Sequence, residues 1–311
     1  MKKSWIFWAG LQAGITTLSI IFQKCVFTNS KLFEYALLGA LIIGVIQVIG
    51  GLIITNIKGV NILTTKKYFI GSCLFGLGAT LATIISFAIY QLEGDLGIYA
   101  CMLSLSIIPG ALIDYMAFGK RLNKLQCYGV LVAGLAGWSI LNWPNFSAIK
   151  GLPLWFWLAC TNMMVVTLNQ ITTKWIKDVN PFVKNVWGGA TTTFLASALL
   201  IGYGWYTGIN VKWISPEAIR IEIGSIVVGL FVIGLWTANV MTYKKGAYVA
   251  IKKLVVNGGS LIAINILGSI IFPKEHMTIG KIIGICLYLF AFMLIDENTW
   301  KITKKILRNE V

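Results

Sequence analysis

A chain of 311 residues that is 57% hydrophobic and only 12% charged, with a mean hydropathy of +0.80, is not an ordinary soluble domain. The net charge of +15 invites a nucleic-acid reading. The basic residues lie between apolar runs rather than on a soluble module, which argues against that partner.

A bilayer core takes about 20 apolar residues per helix. Ten runs of that kind follow one another, at 4–24, 34–55, 69–90, 96–118, 126–143, 153–174, 185–206, 222–243, 247–272 and 279–296. The first run continues past Ala13 without a small-residue cleavage site, so it is predicted as a span rather than a signal peptide. The expected fold is all-α and integral to a membrane.

The first run recurs in the sixth. When Trp5–Lys24 is laid over Trp155–Lys174, Trp5/Trp155, Ala9/Ala159, Thr17/Thr167, Leu18/Leu168, Ile21/Ile171 and Lys24/Lys174 are identical. Gln12/Asn162 and Ser19/Asn169 are both polar. Two copies of one unit, with polar groups at matched depths, is the plan of many secondary transporters. Five spans is an odd number, so the second copy must enter the bilayer upside down relative to the first. The predicted arrangement is ten transmembrane helices in two inverted five-helix repeats. Residues 1–150 form the first repeat, and 151–311 form the second with a short basic cytoplasmic tail.

Charge supports an orientation. With both termini inside, 19 Lys and Arg fall on the inner side and 7 on the outer, the positive-inside pattern. Lys184 is counted among the inner residues, just ahead of the seventh run, and Lys24 among the outer ones. The expected location is the plasma or inner membrane, multi-pass, with cytoplasmic termini.

Little in the chain suggests catalysis. The six cysteines (Cys25, Cys73, Cys101, Cys127, Cys160 and Cys286) show no CxxC spacing and read as small packing residues. The single histidine, His276, lies in a predicted outer loop, and no paired metal-ligand motif or P-loop is present. No enzyme activity, metal or cofactor is expected.

The loops that close the two halves match. Phe118-Gly119-Lys120-Arg121-Leu122 leads to Gly129, and Phe272-Pro273-Lys274-Glu275-His276 leads to Gly284, with the same interval from Lys120 and from Glu275. With these hinges the chain resembles the drug/metabolite transporter superfamily in its ten-helix branch, from about Ser4 to Asp296. That family ends each half with a long helix, a hinge usually reading Gly-Glu-Arg-Leu and a glycine-studded final helix. Here Glu275 keeps the acid and Lys120 replaces it in the first hinge, while the early proline of the fourth helix is displaced to Pro109. The resemblance implies a central cavity lined by helices 1, 3, 4, 6, 8 and 9, with helices 5 and 10 as scaffold.

Candidate substrate contacts follow from helical spacing. Trp5, Gln12 and Ser19 are seven apart, as are Trp155, Asn162 and Asn169, so each triplet shares a face. Gln12, Asn162 and Asn169 are candidate binding residues, with helix–helix hydrogen bonding the plainer alternative and the tryptophans read as interfacial anchors. Trp236, Asn239 and Tyr243 share a face of the eighth span and could hold a polar organic molecule or a cation. Packing is the alternative there, and Tyr243 is also read as an interfacial residue. Lys253, Asn257 and Ser260 form a basic and polar stripe early in the ninth span, beside Lys252. Ionisable residues within spans are usually functional, although both lysines could also snorkel. Asp114, near the inner end of the fourth span, is expected either to pair with Lys253 or to act in gating or proton coupling.

The predicted function is a secondary transporter that moves a small polar organic metabolite, amino-acid-like or an organic anion, by alternating access. Export of a cationic or aromatic compound and flipping of a lipid-linked precursor are the alternatives. The expected partners are the small-molecule substrate, the lipid bilayer and a coupling proton or counter-substrate, in a monomer or homodimer.

Overall fold

The computed structural model describes residues 4–28, 30, 32–119, 123–143, 151–208, 214–247, 249–272 and 274–295. The basic tail expected after residue 296 lies outside them, as does Lys120. Every regular element among the described residues is a helix. They are α1 (Ser4–Phe27), α2 (Phe33–Ile57), α3 (Lys66–Gln91), α4 (Leu96–Leu105), α5 (Ile107–Phe118), α6 (Lys124–Ile140), α7 (Leu154–Trp175), α8 (Pro181–Thr207), α9 (Pro216–Lys244), α10 (Val249–Ile271) and α11 (Ile279–Ile295).

Each of the ten predicted runs lies on helix, with the fourth divided between α4 and α5. Among the described residues, six stretches are long and apolar enough to cross a membrane: Trp5–Phe27, Phe33–Ile57, Lys66–Gln91, Leu96–Ala117, Pro181–Thr207 and Pro216–Lys244. Val255–Ile271 and Ile279–Ala291 are shorter apolar helices. This all-helical architecture is compatible with a multi-pass membrane protein.

Two helices begin earlier than their hydropathy suggests. α8 starts at Pro181 rather than 185, because the Asn180 side chain accepts from the Phe182 amide (2.9 Å) and proline occupies the first turn. α9 starts at Pro216 rather than 222, where the Ser215 hydroxyl accepts from the Ala218 amide (3.0 Å). The fourth run breaks at Ser106 (φ −59°, ψ −7°). Pro109 has no N–H to offer the carbonyl four residues back, and the break relieves that mismatch.

The chain divides into two compact units that cut across the sequence halves. The first combines Met1–Gly94 with Pro153–Gly246. In it α2 packs along α8, α1 along α9 and α3 along α7. The α2–α8 crossing is close because it is built on small residues: a Cβ at Gly44 would come within 2.7 Å of the Thr193 backbone nitrogen, and one at Gly189 within 2.8 Å of the Gln47 Cβ.

The second unit combines Asp95–Leu152 with Ala247–Val311. There α6 packs along α11, while α4 and α5 both pack on α10. A polar clamp holds the start of α4. The Asp95 carboxylate caps the helix, accepting from the Ile98 amide (2.8 Å), and pairs with the Lys281 ammonium (3.1 Å). Glu275, the acid of the second hinge, accepts from the Leu96 amide (3.0 Å). Gly97 leaves the space that the clamp needs, since a Cβ there would meet the Asn265 Oδ1 at 2.3 Å and both Asp95 and Lys281 at 3.1 Å.

Gly97→Ala should therefore lower stability by about 1–3 kcal/mol, the usual cost of overpacking. Gly97→Ala combined with Asn265→Ala should recover much of that loss. Additive melting-temperature shifts across this cycle would show that the two residues do not collide.

Candidate functional site

The polar face predicted on the first and sixth spans is present on α1 and α7 within the first unit. Most aligned positions carry the same burial, although Ile21 and Lys24 are buried where Ile171 and Lys174 are only half-buried. Ala9 and Ala159, Gln12 and Asn162, Thr17 and Thr167, and Ser19 and Asn169 are buried, whereas Phe7 and Trp157, Leu11 and Thr161, Gly14 and Met164, and Leu18 and Leu168 are exposed. Thr17 donates to the Ala13 carbonyl (2.9 Å) and Thr167 to that of Met163 (2.7 Å), the same bond one repeat apart. Periodicity alone had paired these positions, and the packing treats them as equivalent.

The amides on this face have different surroundings. Asn162 donates to the Ser86 hydroxyl on α3 (2.9 Å). The Asn169 side chain packs against Gly78, where an added Cβ would lie 3.0 Å away. The side-chain oxygens of Gln12 and Asn169 are buried and have no hydrogen-bond partner among the described residues. An unsatisfied amide oxygen in an apolar setting is costly, so these two are free to accept a bond from a ligand.

On α9, Trp236, Asn239 and Tyr243 are all buried. Tyr243 is not an interfacial residue: it is 1% exposed and its hydroxyl donates to the Gln170 amide oxygen on α7 (3.0 Å). Trp236 meets Phe75 of α3 edge to face, with ring centroids 4.4 Å apart and planes at 89°. Gly188 of α8 lies under this ring, and a Cβ there would approach it to 2.8 Å.

The group beside these rings is Lys184, whose expected place in an inner loop is corrected by the structure. It lies in the first turns of α8 and is wholly buried (0% exposed). Its Nζ stands 3.2 Å from the Phe75 ring centroid and 5.7 Å from that of Trp236, and it donates to the Thr173 hydroxyl of α7 (3.1 Å). Four helices thus meet at one ammonium. The aromatic faces and the hydroxyl stand where water would otherwise surround its Nζ. Lys24, the last residue of the first predicted span, is buried near the end of α1 and donates to the Gly94 carbonyl (2.8 Å).

The remaining candidates belong to the second unit. Asn257 of α10 donates to the Leu103 carbonyl (2.6 Å) and to the Ser106 hydroxyl (2.9 Å), and its own carbonyl accepts from Ser104 (3.0 Å). Its amide nitrogen ties α10 to the α4–α5 break, where the Leu103 carbonyl also accepts from the Ser106 amide (3.3 Å). Tyr288 of α11 donates to the Ser104 carbonyl beside it (3.2 Å). Lys252 and Lys253 are both buried, and Ser260 donates to the Val256 carbonyl (2.8 Å). The Asp114 side chain lies outside the described residues, and with it the expected pairing to Lys253.

Sequence reasoning missed Lys184, Gln170, Ser86 and Gln47. Lys184 follows the Asn180-Pro181 helix start, and that cap would have placed it inside the helix. Gln47 lies in the α2–α8 crossing, fully buried, with neither amide atom hydrogen-bonded among the described residues. No group of three or more His, Cys, Asp or Glu side chains suited to a metal occurs among the described residues.

No protein-family model matches the chain, and no curated protein does. Its fold is nevertheless found among solved structures. One, described only as a crystal structure of a protein, is similar with a TM-score of 0.60 at 15% identity, over 92% of this chain and 95% of the other. At that identity the likeness concerns fold alone, and it extends over nearly the whole chain.

If Asn257 is a latch, Asn257→Ala should cost about 1–3 kcal/mol, because it removes both bonds that tie α10 to the α4–α5 break. Thermal unfolding of the purified protein checks this. An unchanged melting temperature would return Asn257 to the list of ligand contacts.

Proposed function

We propose that this protein is a secondary transporter that carries a small polar metabolite across a cellular membrane by alternating access. The observation that carries this reading is the matched burial of α1 and α7, which bring Gln12, Asn162, Ser19 and Asn169 to equivalent buried positions in the first unit. The helix pairing supports it as well. Exchanging the first three helices for α7, α8 and α9 maps α2–α8 onto itself and turns α1–α9 into α3–α7, as expected of two repeats related by a two-fold axis. Ten spans in inverted repeats, with both termini in the cytoplasm of a plasma or inner membrane, complete the proposal.

The polar groups gathered around α7 are amides, hydroxyls and the ammonium of Lys184. This donor and acceptor set suits an amino-acid-like or organic-anion substrate, driven by a coupling proton or by exchange. Trp236 and Phe75 favour the second reading, an exporter of cationic or aromatic compounds, because ring faces attract cations.

The test begins with a thermal-shift screen of the purified protein against amino acids, organic acids and amines, since a ligand stabilises the state it binds. Hits are then assayed for uptake into proteoliposomes. Gln12→Leu and Asn169→Leu should each reduce transport of a hit by about tenfold or more while leaving the folded yield near normal. Single cysteines at positions 120 and 276 should label from opposite sides of the membrane. Labelling from one side would defeat the inverted-repeat proposal, and absence of flux for every stabilising ligand would defeat the transporter.

A further inference from the structure

The surroundings of Lys184 resemble a ligand site more than the usual resting place of a lysine. A buried lysine ordinarily faces a carboxylate, whereas the interactions of this ammonium are a hydroxyl and two ring faces. Two aromatic rings at right angles, one directly under the cation and one beside it, with a single oxygen acceptor, form the arrangement that recognises an organic ammonium group. Three helices supply these parts, with Phe75 on α3, Thr173 on α7 and Trp236 on α9, and α8 supplies the cation.

We propose that Phe75, Trp236 and Thr173 form a recognition site for a small organic ammonium group, and that Lys184 is its resident occupant, which a ligand displaces. The proposal rests on the transporter reading and deepens it, naming an ammonium-bearing substrate and the residue that competes with it. Lys184 is suited to the exchange. It lies within the first turns of α8, and the adjoining turn carries the exposed carboxylate of Asp178, so a released side chain has a short path to water and a counter-charge. With the lysine in place the site is closed to cations. Once displaced, its ammonium is available to the carboxylate of a zwitterionic substrate. The apparent affinity for a ligand is therefore reduced by the fraction of molecules in which Lys184 fills the site.

The experiment uses the full-length purified protein and tetramethylammonium as the probe, and it reads binding rather than transport. In the wild-type protein, acetylation of Lys184 by an amine-reactive ester, followed by mass spectrometry, should be slow and should rise several-fold with added tetramethylammonium. Lys184→Met should bind the same probe at least about tenfold more tightly than wild type by melting-temperature titration. Adding Trp236→Leu to that variant should abolish the gain. Equal affinity in wild type and Lys184→Met, or a gain that survives Trp236→Leu, would overturn the proposal. If Lys184→Met does not fold, the wild-type acetylation decides alone, and a rate unaffected by the probe overturns it. Binding without proteoliposome flux would sink the transporter reading and leave this site standing, whereas flux without binding would do the reverse.

Discussion

A polar atom buried in an apolar helical bundle must find its partner inside the protein, because neither lipid nor packed hydrocarbon supplies one. This constraint orders most of what is seen here. The capping side chains of α4, α6, α8 and α9 serve amide groups that no helix can satisfy alone. Asn257 and Ser106 gather at the Leu103 carbonyl, beside the break in the fourth run. Lys184, turned into the bundle, is met there by Thr173 and two rings. The exceptions stand out against this background. Gln12, Gln47 and Asn169 keep buried amide atoms with no partner among the described residues.

Hydropathy made the helices legible, and an alignment of two twenty-residue segments revealed an equivalence that packing respects at Gln12/Asn162, Thr17/Thr167 and Ser19/Asn169. Helix starts were harder to read. Lys184, Arg220 and Glu222 lie in the opening turns of α8 and α9, and their charges resemble loop residues when hydropathy sets the boundary. The Asn-Pro and Ser-Pro pairs just ahead of them carry the better signal, since they report backbone geometry rather than polarity. Pro109 was visible from the start, yet only the structure shows that the helix breaks ahead of it, at Ser106, and that α10 hydrogen-bonds to that break.

The candidate site was partly legible for a similar reason. Spacing identifies which residues share a face, and it placed Gln12, Asn162, Asn169 and Trp236 together correctly on their helices. It does not say which neighbour each one meets. Tyr243 and Asn257 lie on the predicted faces, but their polar groups are taken up by Gln170 and by the α4–α5 break. The cation opposite Trp236 comes from a helix that spacing along α9 cannot see.

The hydroxyl groups have a further effect on what the first unit can hold. Thr17, Ser86, Thr167, Thr173, Thr192 and Thr242 each direct their proton to a carbonyl four residues back in their own helix. A hydroxyl used in this way has only lone pairs left to offer its neighbours. Ser86 accordingly accepts from Asn162 and Thr173 from Lys184. With the bare amide oxygens of Gln12 and Asn169, these lone pairs offer acceptors to guests that bring N–H groups of their own.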